Sequence, residues 1–162
     1  MNPSKMCRKI NNAGFTIIEL LIVIGIISIM SGTAALSFLS IQSSNEREVT
    51  VQEIVSILRK NQSLAMSGEK QSEFGVHFEN DKYTEFEGVV YTAGADGNIE
   101  HPLTPGVSIQ NINFPGVSEV SFARLTGKVS VAGSIDLGVI GIGGISRITI
   151  NELGTVNVQK ID

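Results

Sequence analysis

Few residues of this 162-residue chain are placed to do chemistry. Glu19 is the most unusual. It is followed by 26 residues without formal charge, up to Glu46. An acid inside an apolar membrane helix costs about 2.5–3.5 kcal/mol on insertion scales and is rare without a role. It needs a cationic partner, and no Lys or Arg follows within the run. Cleavage between Gly14 and Phe15 creates such a partner, a free α-amine at Phe15. In a packed assembly, Glu19 of one subunit can then pair with the amine of a neighbour and set the axial register of the helices.

Other candidates are weaker. Asp96, Asn98 and Glu100 alternate in the stretch Tyr91–Glu100, as oxygen ligands do in calcium loops. The stretch lacks the sixth-position Gly and twelfth-position Glu of an EF-hand, so a plain Asp-Gly turn is the stronger reading. Gly138-Val139-Ile140-Gly141-Ile142-Gly143-Gly144 is glycine-rich, but it has no lysine and no following helix for a phosphate. It reads as a hairpin loop with an apolar tip suited to touching a neighbouring subunit. His77 and His101 each stand alone, without a nearby Cys or second His. Cys7, the single cysteine, precedes the apolar run and excludes an internal disulfide framework. These residues imply no catalytic site, no cofactor and no metal beyond the weak Asp96–Asn98–Glu100 loop.

The elements that must position Glu19 follow from hydropathy. Leu20–Leu39 gives 20 residues rich in Leu, Ile, Val and Ala, which as a helix span about 30 Å, the thickness of a bilayer core. The leader, residues 1–14, carries Lys5, Arg8 and Lys9 and no acid, so the positive-inside rule keeps it cytoplasmic and sends the C-terminal bulk outward. A secretory signal predicts a shorter apolar core with a cleavage site after it. Here Gly32-Thr33-Ala34-Ala35 lies within the run. A lipoprotein signal places its cysteine after the run, not before it.

Gly14-Phe15-Thr16-Ile17-Ile18-Glu19-Leu20-Leu21-Ile22-Val23-Ile24 closely resembles the type IV prepilin signature. The resemblance implies cleavage after Gly14 by a membrane aspartyl prepilin peptidase and N-methylation of Phe15 by the same enzyme. It also implies filament assembly through Glu19, with other pilins or pseudopilins and an assembly platform as partners. The protein then sits in the bacterial inner membrane as a single-pass chain, and after processing in a pilus or pseudopilus. Many members carry a kinking proline at the twenty-second mature position, where this chain has Leu36.

Beyond the apolar run, Val51, Ile54, Val55, Leu58, Ala65 and Met66 recur at helical spacing, interrupted by Gln62. No proline occurs between Pro3 and Pro102. One helix over 15–67 is expected, its membrane part at about 15–40, with Gly68 as a C-cap. Residues 68–162 read as an antiparallel β head packed on that helix. Strands are expected at 74–78, 83–86, 89–91, 107–112, 117–122, within 127–137 (around Val129-Ser130-Val131), near 145–150 and at 156–158. The fold class is therefore α+β and pilin-like. Phe122-Ala123-Arg124-Leu125-Thr126-Gly127 and Arg147–Val156 make the head similar to the H-type minor pseudopilins and FimT-like minor pilins. A Gly-Ala-Asp-Gly string also occurs in the calcium loop of major pseudopilins, though nearer the C-terminus than here.

Two functional classes follow. One is a minor pseudopilin or minor type IV pilin subunit, in a type II secretion pseudopilus or a type IV pilus. The other is a single-pass envelope protein with a binding head. A FimT-like role in DNA uptake is opposed by charge. Without the leader the chain has nine basic and 16 acidic residues, and residues 69–100 carry eight acids against two lysines. Phosphate binding needs a positive surface, and Arg124, Lys128 and Arg147 supply one here only if the fold brings them together.

Overall fold

The computed structural model describes residues 15–139 and 142–161, without the side chains of 32–43, 142 and 143. It divides into two compact units, residues 1–38 and 39–162. The first helix, α1, runs Ile17–Ser67 and contributes to both. Thr16 starts it: its hydroxyl accepts a hydrogen bond from the Glu19 backbone N–H at 3.3 Å. That is one half of the Thr-x-x-Glu capping pattern. Gly68 ends it at φ 70, a left-handed conformation that costs glycine nothing. A 3-10 turn, Glu69–Gln71, follows.

Eight strands build the head: β1 Phe74–Phe78, β2 Lys82–Glu87, β3 Ile99–Pro102, β4 Val107–Asn113, β5 Glu119–Phe122, β6 Gly133–Val139, β7 Ile142–Ile150 and β8 Val156–Ile161. They form two four-stranded antiparallel sheets. Sheet A has the order β3-β2-β1-β5 and sheet B the order β4-β6-β7-β8. The amphipathic stripe of α1 packs into a single core with both sheets. Val51, Ile54 and Leu58 are fully buried, together with Val76 and Phe122 of sheet A and Ile135 and Ile148 of sheet B. Each such side chain gains about 1.5–3 kcal/mol on leaving water.

The architecture agrees with the α+β expectation, and four local readings change. Met66 is 51% exposed, and the polar Asn61 is buried in the stripe instead. Residues 89–91 are not a strand; the third strand of sheet A is β3, where Tyr83 pairs with His101 and Thr84 with Glu100. The strand expected around Val129-Ser130-Val131 lies further on, at β6. Gly127 instead closes a turn at φ 63, and Val129 makes an isolated bridge to Phe122. Gly138 and Val139 belong to β6 and Ile142 opens β7, so most of the glycine-rich segment is strand. Ile140 and Gly141, at the expected apolar tip, lie outside the described residues.

β3 closes one edge of sheet A and ends in Pro102, opposite Lys82. On the edge of sheet B, β8 places Lys160, which pairs with Glu48 of α1 at 2.7 Å.

Candidate assembly site and the charged clusters of the head

Glu19 lies in the first turn of α1. The backbone amides there carry the positive end of the helix dipole, which suits a carboxylate. The side chains around it face no protein. Phe15 is 86% exposed, Ile17 81% and Leu20 58%, and every large apolar side chain from Phe15 to Met30 is similarly open. These residues occupy consecutive positions and therefore all faces of the helix. A helix that is apolar all round belongs in a membrane or in a core. Twelve such side chains at about 1.5–3 kcal/mol each make a drive on the order of 20 kcal/mol toward lipid or neighbouring helices. Among the described residues no helix is long and apolar enough to cross a membrane, and the described side chains of the run stop at Ser31. Gly14 and Cys7 lie outside the described residues, and so does the side chain of Leu36.

The two histidines are not alone. Across the β1–β5 ladder His77 stands opposite Glu119, with its Nδ1 3.2 Å from the carboxylate. The other Glu119 oxygen accepts the Tyr91 backbone N–H at 3.1 Å, and the Tyr91 ring stacks on His77 at 4.0 Å. The cluster ties the 88–98 connection onto sheet A. His101 stacks on Tyr83 at 4.9 Å, and its Nε2 lies 2.9 Å from Glu85. Glu85 also accepts from Lys60 at 2.9 Å and from Asn61 at 2.7 Å. Burial pushes its carboxyl up, and the hydrogen bonds from Lys60, Asn61 and His101 outweigh this and hold it below the ordinary 4.5. The buried Asn61 is thus the helix side of a polar link between α1 and sheet A.

On sheet B, Arg147 donates through Nε and a terminal nitrogen to both oxygens of Asp136, at 2.6 and 2.8 Å. That bidentate bond from Arg147 holds Asp136 below its usual value against its burial. Arg147 is therefore committed to an acid and is not free for a phosphate. Among the described residues no three metal-ligating side chains cluster. Asn98 donates to the Thr92 carbonyl at 2.9 Å, and Glu100 receives Lys82 at 3.0 Å within β3. The Asp96 stretch is a run of tight turns, with Gly94 and Gly97 at positive φ. These cross-strand pairs left no trace in local sequence, because register alone brings their members together.

Comparison with known proteins supplies two findings. Residues 9–35 match the family described as the prokaryotic N-terminal methylation motif. The fold is similar to that of the minor pseudopilin EpsH from the type 2 secretion system of Vibrio cholerae. That match has a TM-score of 0.53 and 16% identity, and covers 70% of this chain and 96% of that one. No curated protein matches the sequence. An N-terminal methylation motif thus precedes a head whose fold is similar to that of a minor pseudopilin.

Proposed function

We propose that this chain is a minor pseudopilin that serves type II secretion. It is cleaved between Gly14 and Phe15 by prepilin peptidase, methylated on Phe15, held in the inner membrane by residues of about 15–40, and assembled with other pilin-type subunits through Glu19. The observation that carries this reading is the joining of the methylation motif at 9–35 to a head with the fold of a minor pseudopilin. The physical support is the all-round apolar exposure of Phe15–Met30 around a single acid, a surface that needs lipid and neighbouring helices. Subunits of this kind are structural.

N-terminal sequencing of the purified protein tests processing, with Phe15 as the expected first residue; a start at Met1 refutes it. Glu19→Ala tests assembly: the variant inserts into the membrane and fails to enter the filament. Normal incorporation of that variant favours the second reading, a single-pass envelope protein with a binding head. DNA uptake as a type IV minor pilin is opposed by the acidic balance of the head and by the commitment of Arg147 to Asp136. A gel shift that persists at moderate salt reverses that ranking.

A further inference from the structure

The head carries a knob on one edge of sheet A and a pocket on the other. Leu125 forms the knob. It is 63% exposed and held at φ 65, a backbone conformation that non-glycine residues rarely adopt. The tight turn is fixed by Leu125 N–H donating to the Ala65 carbonyl at 2.9 Å and Gly127 N–H donating to Ala123 at 2.8 Å. The side chain touches Gly68 on one side and otherwise faces solvent, and backbone strain of this kind collects at functional sites. Exposed Arg124 and Lys128 flank it in sequence.

The pocket lies along the other flank of the same helix end. It is a cavity of about 140 Å³ whose apolar lining is Leu64, Phe74, Phe86 and Ile99. Its rim carries Glu69, Glu85 and Glu87, with Lys60 and Lys70. Lys60 pairs with Glu85 and Lys70 with Glu87, which leaves Glu69 as one negative charge in excess. A cavity of about 150 Å³ accepts a group the size of benzene, so this one has room for a single leucine side chain.

The strand order places these features on opposite edges. The turn at 123–127 follows β5, the last strand on one side, while Ile99 opens β3, the last strand on the other. They also lie at the same end of the sheet, because Phe74 is opposite both Phe122 and Glu87. We propose that the Leu125 turn of one copy inserts into the Leu64–Phe74–Phe86–Ile99 pocket of a second copy. Arg124 and Lys128 then meet Glu69 and compete with Lys70 for Glu87. A contact between different faces of identical subunits leaves a free knob at one end and a free pocket at the other, so it propagates. It deepens the filament reading above and rests on it for its setting.

The test uses the full-length chain in membranes, in a Cys7→Ser background, with two differently tagged copies. One carries Leu125→Cys and the other Ile99→Cys. Oxidation is expected to link the tags at least tenfold more than in a control pair of Leu125→Cys with Asn157→Cys, whose second site is exposed on sheet B. Arg124→Glu with Lys128→Glu on the knob copy is expected to cut the linkage at least fivefold. Glu69→Lys with Glu87→Lys on the pocket copy is expected to restore it. Linkage at the control level overturns the contact, as does linkage solely to a different protein or charge reversal without effect. Leader removal and filament entry are read in the same cells. Linkage without filament entry fails the functional reading and leaves the contact standing; filament entry without linkage does the reverse.

Discussion

The two regions of this chain solve the same problem in opposite ways. Within residues 39–162 the buried carboxylates find their partners inside the protein. The buried carboxylate of Glu85 meets Lys60, Asn61 and His101, and Asp136 meets Arg147 in a bidentate pair. The stripe Val51–Leu58 is sealed under two sheets. In residues 15–31 the large apolar side chains are open on every face, and one acid stands in the first turn. A region complete in isolation is a folded body, whereas one that leaves its apolar surface open depends on its surroundings for stability. The division between body and fastening is thus visible as a difference in satisfaction.

The sharpest way to break this contrast is at the fastening. Glu19→Ala should drop filament incorporation below detection while membrane insertion and the thermal stability of the head stay at the original level. A fall in head stability would merge the two regions. The next effect belongs to the body. Leu58→Ala, in a fully buried position, should cost about 2–5 kcal/mol by denaturant unfolding with no change in N-terminal processing. Glu85→Ala removes the acceptor shared by three donors and leaves the buried Asn61 amide short of a partner. About 1–3 kcal/mol of destabilisation is expected.

Acid should act on the body through two of its buried carboxylates. Glu85 and Asp136 are both held below their ordinary values of 4.5 and 3.8 in the folded state. Their stabilisation is therefore complete above those values and drains as pH falls through the lowered ones. A melting temperature that is flat from neutrality to about pH 5 and falls below about pH 4 is expected, with Glu85→Gln weakening the fall. The smallest effect is expected at the exposed Lys70–Glu87 pair, where Lys70→Ala leaves the melting temperature unchanged within error.

The sequence made the fastening legible and left much of the body obscure. An uncharged run behind a lone acid is a local pattern, and so are the helical stripe and Gly68, whose left-handed conformation stops α1 where expected. β1, β2 and β4 alternate strongly enough to be read directly. β3 does not, since Ile-Glu-His-Pro has no strand-like pattern and exists because β2 offers it a ladder. The strand sought at Val129-Ser130-Val131 was displaced to β6, because Gly127 turns the chain and a Cβ at Gly133 would strike the Phe114 ring. Gln62 interrupts the stripe in the sequence, whereas the polar residue buried in it is its neighbour Asn61, which links the stripe to Glu85. The partners of both histidines are set by cross-strand register, which no local window contains.

The closing residue of β3 bears on what happens when many copies crowd together. Open strand edges recruit other strands and lead to amyloid-like growth. Pro102 lacks the N–H that a new strand would need at that end of sheet A, and the charged Lys160 guards the rim of sheet B. Growth by strand addition is thereby discouraged at one border of each sheet. Were the chain to assemble as proposed, through side chains and helices, these edges would guard it from polymerising through its backbone.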